Sequence, residues 1–196
     1  MKTRTVFIFI VLQFLNIHLK AQEVGAFEKG SSIISLGYGI GNEWKGFLED
    51  FTDYPDNSYK VTNNGTYSLI YEYGVSNKIS AGIALGYSQV EGNFNGAGTG
   101  FTFTEKLTNF SVLARANYHV GKFEKFDPYV GGGIGYFHFN YENDRPEITN
   151  SKSPGAFGYS IQLGLRYYLT SQLGAFAEVG YVGGSLVQLG ASYKFK

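Results

Sequence analysis

Cysteine is absent from the 196 residues, which excludes a disulfide framework, a thiolate metal site and a cysteine nucleophile. Charged side chains are scarce at 16%, where the water-facing surface of a soluble domain carries roughly a quarter to a third. Beyond residue 21 no apolar run approaches the roughly 20 residues of a membrane-spanning helix, and no segment keeps the i, i+3, i+4, i+7 spacing for more than a turn or two. Helices are therefore not the spanning element. Basic residues are not in excess either: 16 Lys and Arg face 16 Asp and Glu, so there is no footprint for nucleic acid. What the chain has in quantity is aromatic side chains, at 17%, and 27 glycines without a collagen-like period. The length suits one domain or one small barrel.

Residues 1–21 read as a secretory signal peptide. Lys2 and Arg4 precede an apolar run over residues 6–15, and a more polar stretch ends at Ala21. Gln13, Asn16 and His18 interrupt the run and argue against a transmembrane anchor, while Leu19 departs from the small residue expected before a cleavage site. Loss of Lys2, Arg4 and Lys20 with the leader leaves the mature chain, residues 22–196, with a net charge of −3.

The mature chain alternates apolar and polar residues with period two in segments of about ten, the signature of transmembrane strands. At the C-terminus Val187, Leu189, Ala191, Tyr193 and Phe195 share one face, and Gln188, Gly190, Ser192 and Lys194 the other. Residues 34–40, 67–75, 79–87, 110–120, 159–169 and 173–181 behave alike, and in 110–120, 159–169 and 173–181 the charged residue falls on the polar face. In residues 129–141 the glycines 131, 132, 133 and 135 blur the contrast, so a bulge or register change is expected there, with glycine serving tight curvature. Short links at residues 76–78, 121–127 and 170–172 take turns with longer polar ones at 42–65, 91–101 and 142–156, and residues 182–185 form a short fourth. Short periplasmic turns and long outer loops are the asymmetry of outer-membrane barrels. The expectation is an all-β fold, an eight-stranded antiparallel up-and-down transmembrane β-barrel.

A soluble barrel would alternate just as well, so the polar face decides. It holds Gly, Ser, Asn and Gln with isolated Glu and Arg, which suits a narrow lumen better than water. Ten tyrosines, at positions 38, 73, 87, 118, 129, 141, 159, 167, 181 and 193, fall toward strand ends, where amphipathic rings sit at headgroup level. Four charged residues fall mid-strand on the lumen face, Glu72, Arg115, Arg166 and Glu178, and are expected to pair in one network that plugs the bore.

Other constellations carry little chemistry. The glycine run at 131–135 lacks the following helix and Lys-Ser/Thr of a phosphate loop. Asn64-Gly65-Thr66 reads as a turn into a strand, and His119 and His138 lie on different strands near opposite ends, with no metal-ligand spacing. Glu43, Glu49, Asp50, Asp53 and Asp56, with Trp44 and Tyr54, form an acidic outer loop, read as solvated, without the spacing of a calcium loop. No cofactor, metal or catalytic residue is expected.

The segment Phe126-Asp127-Pro128-Tyr129-Val130-Gly131-Gly132-Gly133-Ile134-Gly135-Tyr136, the strand layout and the ending Gly190-Ala191-Ser192-Tyr193-Lys194-Phe195 resemble the small outer-membrane β-barrel family that includes the OmpA, OmpX, OmpW and opacity-protein barrels. The leader ending Lys20-Ala21-Gln22 resembles those of Bacteroidetes proteins. The resemblance implies a bacterial outer-membrane location. It implies as partners outer-membrane lipid, lipopolysaccharide and the barrel assembly machinery, with Tyr193 and Phe195 as the assembly signal although Lys196 replaces the usual terminal aromatic. Some such barrels carry a lipid-facing His-Ser pair for acyl chemistry, but here Phe139 and Asn140 follow His138, and no enzyme is expected. The implied function is structural, adhesive or protective of the envelope through surface loops, with an unknown extracellular ligand. The alternatives are a narrow channel for small or hydrophobic solutes and a barrel component of a secretion apparatus.

Overall fold

The computed structural model describes residues 25–50, 58–95, 101–144 and 155–195. The expected signal peptide lies outside these residues, as do Asp53, Tyr54 and Asp56 of the first outer loop. The strands are β1 (Ser32–Asn42), β2 (Tyr59–Gly74), β3 (Ile79–Asn95), β4 (Thr102–His119), β5 (Phe126–Asn143), β6 (Ala156–Tyr168), β7 (Leu173–Val182) and β8 (Ser185–Phe195), with one helix, α1 (Glu43–Asp50), after β1. Every strand pairs antiparallel with its neighbour in sequence, and β8 pairs back onto β1, so the sheet closes.

The alternation of branched and aromatic residues with small polar ones makes these segments strands, and it also sorts the two faces. Leu36, Ile134 and Leu163 are 62–66% exposed on the outside, whereas Glu72, Arg166 and Glu178 are each 1% exposed inside. That inversion of a soluble protein is stable only where lipid covers the wall, and closure satisfies every strand edge there.

Several expectations need correction. Strand β5 runs unbroken in register from Phe126 to Asn143, so the glycine run holds no bulge. The register shifts instead lie in β2, between Asn63 and Thr66, and where β7 meets β8, between Val179 and Val182. Gly65 has φ +68°, so the expected turn at residues 64–66 is a bulge within β2. The shift near Gly180, whose φ is +142°, half-buries Tyr181 between Tyr159 and Phe137 instead of placing it in the outer belt. Tyr129 and Tyr141 face the interior, while the remaining seven tyrosines of the expected belt are exposed on the outer wall.

Residues 91–95 of the expected loop over 91–101 are strand instead, because β3 continues to Asn95, and β4 begins directly after that range at Thr102. The wall is consequently uneven: β4 and β5 have 18 residues each, against 10 in β7 and 11 in β1 and β8. Eighteen residues run about 60 Å, and only about 9–11 tilted residues are needed to cross the hydrocarbon. Outward positions change from Tyr87, Phe110 and Tyr136 to Gln89, Thr108 and Asn140, so β2–β5 rise out of the membrane as a polar wall.

The acidic outer loop is not wholly solvated either. Asn42 caps α1 by accepting a hydrogen bond from the Trp44 amide at 3.0 Å, and Glu43 sits favourably in the first turn. Trp44 and Leu48, four residues apart, share a face that turns inward. Leu48 is buried with Val90 and Leu107, and Trp44 meets Phe137 and Phe139 edge-on at 5.8 and 4.7 Å between ring centroids.

Candidate functional site

The interior is filled at three levels, and its middle level is a cluster of ionised side chains. The period-two register points Glu72 of β2, Arg115 of β4, Arg166 of β6 and Glu178 of β7 inward, and the structure brings all four together. Arg115 donates to Glu178 through Nη2 at 2.5 Å and Nη1 at 3.4 Å. Its Nε lies 3.5 Å from Glu72 Oε1, a Coulombic contact without hydrogen-bond geometry. Arg166 Nη2 donates to Glu72 Oε2 at 2.8 Å, and its Nη1 to Asp127 Oδ2 at 2.7 Å. The Arg166 Nε donates to Ser192 Oγ at 3.2 Å.

Neutral groups complete the cluster. Tyr129 donates its hydroxyl to Glu178 at 2.8 Å and lies beneath the Arg166 guanidinium, 5.1 Å from its ring centroid. Asn117 donates to Glu72 and accepts from Gln162 Nε2 at 2.8 Å. His119 Nδ1 is 2.6 Å from Asp127 Oδ1, and Nε2 is 3.0 Å from Ser80 Oγ. This Asp–His–Ser chain has the connectivity of a nucleophile–base pair with its orienting acid. Ser80 is wholly enclosed, however, Asp127 is shared with Arg166, and the Phe27 ring stacks on the imidazole at 3.4 Å. Its surroundings are those of a satisfied buried network.

Asp127 and Tyr129 were the members that sequence reasoning missed. Residues 121–127 were expected to be a turn, whereas β5 begins at Phe126 and its parity sends Asp127, Tyr129 and Gly131 inward. The aspartate and tyrosine two apart, just ahead of the glycine run, were the available signal. His138, by contrast, lies exposed on the outer face of β5.

Small residues make the space for these long side chains. Arg115 is flanked across the sheet by Gly82 on β3 and Gly133 on β5, and Glu178 by Gly164 on β6. A Cβ at Gly133 would lie 2.8 Å from Ser160 Oγ and 3.2 Å from Arg115 Cβ. The glycine run is thus a notch in the lumen wall, a role beyond the expected curvature. Gly133→Val is expected to cost about 1–3 kcal/mol by overpacking. The measurement is the urea midpoint of the detergent-folded protein, and an unchanged midpoint would show slack around Arg115.

The other two levels lie at the ends. At the short-turn end residues 25–31 cross the mouth: Ala26 donates its amide to Phe123 O, and Gly30 to Gly74 O. Lys194 Nζ donates to the carbonyls of Gly25 and Ala26 at 3.2 Å each. At the outer end the β7–β8 turn, with Gly183 at φ +60° and Gly184 at φ +92°, is buried beneath α1, and Gly184 O accepts from the Glu43 amide at 2.9 Å.

Tyr193 and Phe195 lie outward on the closing strand, ring centroids 4.7 Å apart. Tyr193 pairs with Ile34 of β1 and Leu173 of β7, and Phe195 with Ser32.

No curated protein sequence matches the chain. Among solved structures it is similar to AlkL, an outer membrane protein, with 20% identity over 92% of this chain and 97% of that one, TM-score 0.49. It is also similar to E. coli outer membrane protein W, with 18% identity, 86% and 99% coverage and TM-score 0.49. Ail, the attachment invasion locus protein of Yersinia pestis, matches with 19% identity, 85% and 99% coverage and TM-score 0.48. The family model for the outer membrane protein beta-barrel domain matches residues 9–195, nearly the whole sequence. With the closed eight-stranded sheet and its apolar exterior, that match places the chain in the outer membrane protein beta-barrel domain family, as an outer-membrane β-barrel.

Proposed function

We propose that this protein is a non-enzymatic, closed barrel that anchors a surface structure in the outer membrane and serves adhesion or envelope integrity rather than transport. One observation carries the reading: the described lumen is obstructed at three successive levels, by residues 25–31, by the ion-pair network and by α1 with the β7–β8 turn. Three carboxylates and two guanidiniums locked to one another leave little mobile charge to pass an ion along. The raised wall of β2–β5 presents Glu91, Asn93, Thr104 and Lys106 to the outside, a polar surface suited to lipopolysaccharide or an extracellular partner. Removal of residues 1–21 during export leaves the short arm that closes the periplasmic mouth. The barrel assembly machinery is the partner expected during insertion.

Conductance across a planar bilayer tests this. The wild-type protein is expected to give no stable ohmic step, and a steady pore would overturn the reading in favour of a solute channel.

A further inference from the structure

The outer half of the lumen contains a feature that a plug does not require. Thr66 on β2, Ser88 on β3 and Asn109 on β4 are direct cross-strand neighbours in one row. All three are at most 1% exposed, and Thr66 Oγ1, Ser88 Oγ and both amide atoms of Asn109 have no hydrogen-bond partner. The indole Nε1 of Trp44, which packs on Phe139 beside Asn109, is also unpartnered. Unpartnered atoms occur near the charge network too, but there they belong to side chains beside paired neighbours, whereas here they form a contiguous row. Each such atom costs about 1–3 kcal/mol when left buried, so a run of them marks a place where a ligand supplies the missing bonds.

The surroundings define that ligand. Leu113 and Phe137 lie below the row and Val90 and Leu107 above it, an apolar lining with a few convergent polar groups. The nearby ionised groups are engaged: the floor charges pair with one another, and Glu105 accepts from Tyr59 and Asn143. Asn109 offers one donor group and one acceptor, the hydroxyls offer both, and Trp44 adds a donor. The floor is sealed by ion pairs, whereas α1 is held over the row by Trp44, Leu48 and the Glu43–Gly184 hydrogen bond, after Gly41 at φ +75°. Entry is therefore from outside, by displacement of α1.

We propose that the outer lumen binds a small neutral molecule with an apolar body and a carboxamide or hydroxyl head, which takes the place of Trp44 when α1 swings outward and is anchored by Asn109, Ser88 and Thr66, a row with no free space beside it while α1 is down. Trp44 is the one tryptophan of the chain, so intrinsic emission reports on this site alone. The probe is pentanamide, titrated into the mature protein in phosphatidylcholine vesicles, which add no tryptophan, with pentanoate as the charged counterpart. A saturable change in Trp44 emission is expected for pentanamide, at least tenfold weaker for pentanoate and at least tenfold weaker in Asn109→Leu. Ser88→Ala, expected to weaken binding about threefold, carries the test should Asn109→Leu fail to fold. A linear response of equal slope for both probes and in the folded variants means partition into lipid, and overturns the proposal. The conductance result does not depend on this titration, so the closed-barrel reading stands or falls separately.

Discussion

Replacing Arg166 with alanine is expected to destabilise the folded barrel by about 3–5 kcal/mol, because it takes from two buried carboxylates at once the guanidinium that both accept from. Glu72 and Asp127 each lie within 2.8 Å of this guanidinium, and all three side chains are at most 2% exposed. Water does not reach them to replace the lost partner, so the desolvation cost stays while the attraction goes. Arg115→Ala is expected to act in the same direction, leaving Glu178 with the Tyr129 hydroxyl. Lys122→Ala, on an exposed turn, is expected to stay within about 0.5 kcal/mol of wild type. The measurement is the denaturant midpoint in detergent, read by the difference in gel migration between boiled and unboiled samples. Introducing Glu72→Gln into Arg166→Ala is expected to recover part of the loss, since it removes one uncompensated charge. Arg166→Ala with wild-type stability would mean that the network contributes nothing to holding the barrel shut.

The second large effect concerns closure. Deleting residues 193–196 is expected to abolish outer-membrane accumulation and leave periplasmic aggregate. Among the described residues strand β8 alone joins β7 to β1, and Tyr193 and Phe195 belong to the pairs nearest the periplasmic end of that seam. Without them the ends of β1 and β7 present unpaired amides and carbonyls in lipid, where each costs several kcal/mol, and an open edge promotes aggregation. Tyr193→Ala with Phe195→Ala keeps the backbone pairs and separates recognition by the assembly machinery from closure of the seam. Normal surface levels of that double variant would remove both rings from the assembly signal, and normal levels of the truncation would contradict both roles.

How far the network was legible depends on the range of the information. Alternation along β4 sends Asn109, Ser111, Leu113, Arg115, Asn117 and His119 inward, and the same local rule orients Glu72, Arg166 and Glu178, so the inward direction of each charge needs no partner to be known. Partner choice is different. Glu72 meets Arg166 across 94 residues and Arg115 meets Glu178 across 63, contacts that exist only once the sheet has closed and set the opposing strands at one height. Asp127 was hidden because the start of β5 depends on pairing with Arg166 and Tyr167 of β6, a long-range interaction that local turn chemistry does not encode.

The outer end shows the same division more sharply. The polar, acidic composition of residues 42–65 reads as a solvated loop, and nothing local reveals that Trp44 and Leu48 have an apolar wall to cover. That wall exists because β2–β5 outgrow β6–β8 and leave Val90, Leu107 and Phe139 without an opposing strand. The eight strands, the faces of most of their residues outside β5 and the β7–β8 shift, and the membrane location were determined by the sequence alone, since period-two patterning and aromatic placement are local properties read by lipid. The pairing of the charges, the inward tuck of α1 and the row of unpartnered polar atoms were decided by the tertiary structure, because each depends on residues distant in sequence meeting across a closed lumen.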